Sequence, residues 1–246
     1  MRSAQYILFI VIFVQPLYGQ DLDLNELTDA YFREKVNPLA TVLPFAIGGY
    51  FAGDVEFLHP GEVRLSVNGE TNFVSNDLSK GPMKGVDRIS LPMFNIALGV
   101  DSRVELSGKF SSINIGNRAV IITGYGLRYK SYSNETGDMG ISFGVMVNAL
   151  RGPEDFRIWD MTLHLDLMKI GESRSIKASI GADFSEMRIF VKGEGNLLNE
   201  KNENIERTQS WVAVGISQNL GKVLFSFFQF QQGQSRRLNI GIGVRL

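Results

Sequence analysis

Polar and apolar residues alternate along most of the chain, most clearly in the stretch IWDMTLHLDLM at 158–168. The polar positions of this stretch are Asp160, Thr162, His164 and Asp166. A β-strand with this period directs its polar side chains to one face of the sheet and its apolar side chains to the other. The polar face could be a metal or catalytic site, the wet face of a soluble sheet, or the inside of a barrel whose outside contacts lipid.

The same alternation predicts about ten strands in the second part of the chain. Their approximate bounds are 62–75, 86–100, 103–112, 118–130, 139–149, 157–168, 175–192, 207–218, 222–231 and 236–246. Many are about 10–13 residues long, whereas strands of soluble proteins average about 5–6 and a tilted membrane-crossing strand needs about 9–11. Around Ser185 the apolar side chains change parity, which indicates a bulge or a strand that leaves the membrane.

The predicted connections differ in length at the two ends of the strands. Short turns are expected at 100–103, 171–174 and 219–222, and longer polar loops at 75–85, 151–156 and 196–207. Transmembrane barrels have this asymmetry, with the short turns facing the periplasm. Residues 130–139 depart from it, because a long loop is predicted there on the short-turn side.

The first residues have the order of a secretory signal. A basic start is followed by an apolar run at 6–14, and then by Pro16 and Gly19. The run is too short for a spanning helix, which needs about 20 residues, although an uncleaved anchor is the alternative. We expect a signal peptide at 1–19 and a mature chain that begins near Gln20, outside the cytoplasm.

Residues 20–60 lack the alternation of the strands. Apolar side chains at 24–32 are near helical spacing, and Pro38 and Pro44 interrupt the uncharged stretch that follows. The prolines argue against a membrane helix. We expect a short helical or irregular segment packed on or inside the main domain, as a plug or a periplasmic helix, and then the barrel at 61–246.

The composition narrows the classes of function. The chain has 246 residues, a formal net charge of -1 and no cysteine. This charge gives no global attraction to nucleic acid, and the lack of cysteine excludes disulfides, thiol nucleophiles and thiolate metal ligands. With the secretory signal, the strand lengths and the turn asymmetry, these features predict an all-β fold: an antiparallel transmembrane β-barrel of about ten strands, within a range of about eight to twelve, after a short N-terminal helical or irregular segment.

The polar face of the predicted strands would line the lumen of that barrel. The predicted inward-facing residues are Arg64, Glu70, Glu105, Lys109, Arg128, Asp160, Thr162, His164, Asp166, Lys177, Asp183, Arg237 and Arg245. They would form either a lumen-filling network of ion pairs or the wall of a narrow channel or solute site. Aromatic girdles at the membrane interfaces are a further hypothesis for Tyr125, Tyr129, Trp159, Trp211 and Phe230.

A metal site on residues 158–168 is disfavoured by distance. Asp160 and His164 are about 13 Å apart along one strand, whereas each ligand must lie within about 2 Å of the ion. A rim hydrolase would need a serine such as Ser142 beside His164 on the outer face, and the chain contains no P-loop or HExxH motif. We therefore expect no metal, no cofactor and no enzymatic activity.

Four stretches together resemble a known family. YFREKVNPLATVLPFAIGGYFAGDVEF, GYGLRYK, SIGADFSEMRIFVKGEG and the alternating C-terminal strand are similar to an uncharacterised family of bacterial outer-membrane barrels. In that family a short segment with a proline and a Gly-Tyr pair precedes eight to twelve antiparallel strands. One departure is Leu246, since outer-membrane proteins typically end in phenylalanine, which assists recognition by the assembly machinery.

The resemblance and the pattern together imply a bacterial outer-membrane protein. Its expected function is a porin-like barrel, narrow or plugged by residues 20–50, that passes or binds a small solute or lipid. The alternative is a non-transporting barrel that serves envelope structure, assembly or a secretion complex. The expected partners are outer-membrane lipid, the outer-membrane assembly machinery and, for a channel, a small solute, but not nucleic acid.

The facing of residues 158–168 can be tested by two substitutions. Leu165→Arg would place a charge in lipid and is expected to lower the free energy of unfolding by about 2–4 kcal/mol, whereas the inward-facing change Thr162→Ser should have little effect. Urea unfolding from lipid vesicles measures both. Equally mild effects would show that the facing is wrong.

Overall fold

The computed structural model describes residues 32–48, 55–80, 83–115, 118–151, 156–191 and 201–246. The predicted signal peptide at 1–19 lies outside the described residues. Helix α1 spans Phe32–Ile47. The ten strands that follow are β1 (Val63–Phe73), β2 (Arg88–Gly99), β3 (Val104–Ile115), β4 (Arg118–Ser133), β5 (Met139–Arg151), β6 (Phe156–Lys169), β7 (Arg174–Val191), β8 (Lys201–Asn219), β9 (Leu224–Gln232) and β10 (Arg236–Arg245).

The strands form one closed antiparallel barrel in chain order. Each strand pairs with its neighbours in the sequence, and β1 pairs with β10 to close the ring. Closure leaves no free strand edge whose backbone groups would need other partners. The prediction of an antiparallel barrel of about ten strands is confirmed.

The two ends of the barrel differ, and we name them by their connections. The short-turn end holds the C-terminus and the connections 100–103, 134–138, 170–173 and 220–223. The loop end holds the connections 74–87, 116–117, 152–155, 192–200 and 233–235. The length asymmetry therefore comes from two loop-end connections, 74–87 and 192–200, because 116–117, 152–155 and 233–235 are no longer than the short turns.

The predicted long loop at 130–139 was wrong, because β4 and β5 continue to a tight turn at 134–138. The Asn134 side chain accepts a hydrogen bond from the Met139 backbone N–H at 3.0 Å, and Gly137 supplies a φ of 74°. The hydroxyl of Thr136 and the amide of Asn134 donate to the Asp138 carboxylate and lower its pKa. The polar residues that suggested a loop are thus the ones that stabilise the turn.

One other predicted boundary, the start of the eighth strand, changes for a related reason. Strand β8 begins at Lys201 rather than near 207, and it pairs with β7 up to Val191. Residues 201–207 are mostly polar on both faces, so they carry no alternation that sequence reasoning could use. They extend the β7–β8 hairpin at the loop end.

The bulge that was one of two explanations for the parity change near Ser185 is absent, because β7 pairs with β6 and β8 without interruption there. The register shift in the barrel lies instead between Lys130 and Tyr132, where β4 pairs with β5. Met187 and Ile189 still face inward, and they are apolar because they contact the cluster that contains α1. The apolar residues change parity in the sequence because the lumen is apolar at this level, and the inward and outward faces of the strand do not exchange.

The outer surface of the barrel is apolar. Leu163, Leu165 and Leu167 of β6 are 42%, 37% and 52% exposed, large hydrophobic side chains of β1–β5 and β7–β9 are exposed in the same way, and the outward apolar side chains of β10 are half-buried. A continuous apolar exterior around a closed barrel is the surface of a protein that spans a lipid bilayer. No described helix is long and apolar enough to cross a membrane.

The aromatic residues only partly follow the girdle hypothesis. Tyr129 lies near the short-turn end of β4 and Trp159 near the loop end of β6, and both are exposed on the outer surface, whereas the exposed Tyr125 lies in the middle of its strand. Trp211 was wrongly placed there, since it faces inward and is 2% exposed. Its indole N–H donates to Asp183 at 3.1 Å, so its polar atom is satisfied inside the lumen.

Helix α1 lies inside the barrel, where it contacts β1 and β5–β8. Every side chain from Pro38 to Ile47 is buried. Pro38 and Pro44 were expected to interrupt this stretch, but both lie inside the continuous helix. Each proline removes a backbone hydrogen bond donor, and burial of the apolar side chains on all sides of the helix offsets the loss.

Candidate functional site in the barrel lumen

The inward-facing residues predicted from the sequence lie in the lumen at several levels. Twelve of the thirteen are buried, and Arg245, at the end of β10, is partly exposed. They do not converge on one centre. Three groups can be distinguished: one at the short-turn end, one beside the C-terminal end of α1, and one near the loop end.

Glu105 is the centre of the group at the short-turn end. Its carboxylate accepts from Arg64 at 2.6 Å and from Arg128 at 3.2 Å. It also accepts a hydrogen bond from the backbone N–H of Leu58 at 3.3 Å. The buried charges are thus paired with each other and with the segment that precedes β1, as burial requires.

The segment at 55–58 occupies the lumen at this end. The backbone carbonyl of Glu56 accepts from both Arg64 and Arg128, at 3.0 and 3.1 Å, and the Arg128 guanidinium lies 4.0 Å from the centre of the Phe57 ring. The Glu56 carboxylate pairs with Arg245 at 2.8 Å. Sequence reasoning missed these contacts, because the segment has no periodic pattern.

Lys109 holds the C-terminal end of α1. Its ammonium group donates to the carbonyls of Ile47 and Gly48 at 2.6 and 2.8 Å. Carbonyls at the end of a helix lack intrahelical partners and attract positive charge. A Cβ on Gly48 would lie 2.8 Å from the Asp160 carboxylate, so only glycine fits where the helix ends against β6.

Two carboxylates from adjacent strands lie next to this helix end. Asn148 donates to Asp160 at 2.9 Å, and the Thr162 hydroxyl lies 3.2 Å from Asp160 and 2.7 Å from Asp183. The charged side chains are therefore tied to neutral donors from the strands and, through Trp211, to the aromatic filling of the lumen. This network joins β5, β6, β7 and β8.

A third group surrounds Arg237 toward the loop end. Its guanidinium lies 4.5 Å from the centre of the Phe45 ring of α1, and its Nε donates to Asn72 at 3.0 Å. Gln209 donates to the backbone carbonyl of Thr41 at 2.9 Å. The sequence prediction omitted these neutral partners, although their inward parity on the strands could have identified them.

Ser142, His164 and Asp166 lie together but in the wrong order for a nucleophilic triad. The Ser142 hydroxyl donates to Asp166 at 3.2 Å, and His164 Nε2 lies 3.6 Å from the same carboxylate. A catalytic serine would donate to the histidine instead. The imidazole occupies space that Gly144 leaves open, because a Cβ there would overlap the ring. This arrangement fills the lumen.

One small cavity lies between the lumen residues that the structure describes. A cavity beside Glu105, Arg128 and His164 holds about one water molecule. Among the described residues, no group of three or more histidine, aspartate or glutamate side chains could hold a metal ion. The groups around Glu105, Lys109 and Arg237 bind the chain's own helix and segment.

No family model matches this chain, and no curated protein matches it. Among solved structures, it is similar to the outer-membrane protein OprG from Pseudomonas aeruginosa, with a TM-score of 0.41, 10% identity, and coverage of 78% of this chain and 99% of that one. For the KdgM porin the values are 0.40, 10%, 74% and 98%, and for Ail of Yersinia pestis 0.38, 13%, 76% and 99%. Similarities this low define neither a family nor a function.

The importance of the buried pairs can be measured against an exposed one. Glu105→Gln would leave Arg64 and Arg128 without their buried carboxylate partner and should lower the free energy of unfolding by about 3–5 kcal/mol. Glu186 pairs with Arg188 on the outer surface, where the two side chains are 28% and 60% exposed, so Glu186→Gln should cost about 0–1 kcal/mol. Denaturant unfolding from vesicles compares the two variants, and equal losses would contradict the central role of Glu105.

Proposed function

We propose that this chain is a bacterial outer-membrane barrel that is closed by its own N-terminal segment and does not transport solutes in this state. The observation that carries the proposal is the position of α1, which is buried inside the barrel and joined to it by Lys109. The segment at 55–58 adds a second obstruction at the short-turn end.

The energy of the buried helix favours a permanent closure. Val36, Leu39, Leu43, Phe45 and Ile47 are at most 3% exposed. Burial of each such side chain contributes about 1.5–3 kcal/mol, so that withdrawal of the helix into water would cost on the order of 10 kcal/mol from these five alone. Thermal fluctuations do not populate a state at that free energy, so α1 is better suited to be a fixed core than a gate.

The outer-membrane location has independent support from the chain. The secretory signal predicted at 1–19 would carry the protein out of the cytoplasm. A closed barrel with an apolar exterior satisfies all backbone hydrogen bonds within the bilayer, and the longer loops would then face outward from the cell. Outer-membrane lipid and the assembly machinery are the partners that this location requires.

A structural or assembly role follows from a sealed lumen. Without a pore, the surfaces left for function are the loops, the turns and the lipid-facing wall. The channel interpretation instead requires α1 and residues 55–58 to leave the lumen. We therefore propose a non-transporting barrel that acts through these outer surfaces.

Single-channel conductance in planar bilayers tests the closure. The mature protein is expected to be silent, whereas a variant without residues 20–60 should conduct and should prefer anions, because Arg245 would lose the Glu56 carboxylate in an open lumen. A gel shift between boiled and unboiled samples is the control for folding. Steady conductance of the full mature protein would contradict the proposal.

A further inference from the structure

Exposed arginines are concentrated on the outer wall at the loop end of the barrel. Described outward-facing positions within three residues of the strand ends include Arg88, Arg151, Arg157, Arg188 and Arg236. The short-turn end also exposes basic residues, namely Arg103, Lys169, Arg174 and Lys222, so the loop end is distinguished by its larger share of arginine.

Three of these arginines form a continuous row across β5, β6 and β7. Arg157 and Arg188 are direct partners in the register of β6 and β7. Leu150 pairs with Ile158, so Arg151 and Arg157 occupy the next position on the two strands. Neighbouring strands are about 4.8 Å apart, and the three residues therefore cover about 10 Å of the rim. We call this set the arginine row.

A second pair lies on the opposite wall of the ring. Phe73 of β1 pairs with Arg236 of β10 on one side and with Arg88 of β2 on the other. Phe73 is exposed on the outer surface. An aromatic side chain between two arginines at the edge of an apolar wall has the composition of a membrane interface, where the ring meets lipid and the charges meet headgroups.

Like charges directly opposite each other destabilise a sheet. The arginine row places three of them side by side, and the acids closest to it in the strands, Glu186 and Glu206, pair with each other in the register one step further into the wall. Glu186 accepts from Arg188 at 2.8 Å. A phosphate group above this level would offer the row acceptor oxygens in addition to those that the protein supplies.

The identity of the basic residues points to phosphate. A guanidinium presents its donors as a planar fork that matches a phosphate with two parallel hydrogen bonds, which lysine does not do. The short-turn end differs, because its exposed outward bases on β6 and β7 are Lys169 and Arg174, with Glu172 in the turn between them.

We propose that the arginine row binds the phosphate-bearing headgroup of a lipid in the outer leaflet. This inference rests on the outer-membrane placement proposed above, because only that orientation brings the loop end to the outer leaflet. The apolar wall below the row, which begins with Trp159, would contact the acyl chains of the same lipid. Arg88 and Arg236 would form a similar contact on the opposite wall.

Native mass spectrometry of the refolded full mature protein tests this proposal. The probes are bis-phosphorylated lipid A, its dephosphorylated form and inorganic pyrophosphate. The row variant is R151Q/R157Q/R188Q, and the matched control removes three positive charges at the short-turn end, R103Q/K169Q/R174Q. The row variant should bind bis-phosphorylated lipid A at least about tenfold more weakly, since several charge-assisted bonds are lost, and the control should bind it like the wild type.

Three results would overturn the proposal. They are equal binding by the row variant and the wild type, equal binding of dephosphorylated and bis-phosphorylated lipid A, and displacement of the lipid by pyrophosphate at comparable concentration, which would indicate a site for free phosphate. If the row variant fails to fold, the single variant R157K replaces it, because lysine keeps the positive charge but not the planar fork of donors. R157K should bind bis-phosphorylated lipid A more weakly than the wild type does. Unchanged binding by R157K would contradict the proposal.

The same samples separate this proposal from the proposed membrane placement. Protease protection of the wild-type barrel in phosphatidylcholine vesicles reports insertion without any phosphate-rich lipid. A wild type that remains fully digestible would refute the membrane placement whatever its lipid affinity. A protected barrel with no preference for phosphorylated lipid A would refute the lipid site alone.

Discussion

The burial of α1 inside the barrel is the constraint on which the rest of the structure depends. An eight-stranded barrel is just wide enough for its own side chains to fill, and ten strands leave more interior to occupy. The helix occupies that interior toward the loop end, so the facing positions of the strands must be apolar there. Leu150, Ile158, Met187 and Ile189 meet this requirement.

The short-turn end solves the same problem with polar groups. The filler here is the segment at 55–58, whose backbone carbonyls and amides need partners inside the barrel. Glu105, Arg64 and Arg128 supply both charge signs and hydrogen bonds to it. The charged lumen, which resembles a channel lining in the sequence, is therefore the binding surface for another part of the same chain.

Sequence reasoning succeeded wherever the two faces of a strand differ in polarity. The strand order, most boundaries and the facing of the leucines of β6 follow from that contrast. It failed where the contrast disappears: at Met187, where the lumen is apolar, and at residues 201–207, where both faces are polar. Trp211 was misplaced because its aromatic ring suits a membrane interface as well as a filled lumen.

The candidate site was predictable only in part. Charged residues on the inward face of the strands could be identified by parity, since period and facing are local properties of the sequence. Their partners Glu56, Phe57 and Leu58 precede the first strand in an irregular segment, and their contacts depend on the closure of the whole barrel. The continuity of α1 through Pro38 and Pro44 likewise comes from tertiary burial, which overrides local helix preference.

Hydrogen–deuterium exchange of the refolded mature protein in lipid nanodiscs tests the central claim most directly. If α1 is a fixed core of the barrel, the amides at 39–47, other than Pro44, should exchange as slowly as those of β6, and the turn at 134–138 should exchange rapidly as the internal reference. Rapid exchange of the helix in a barrel whose strands remain protected would show that α1 leaves the lumen, and the closed barrel would then be only one state of a gated channel.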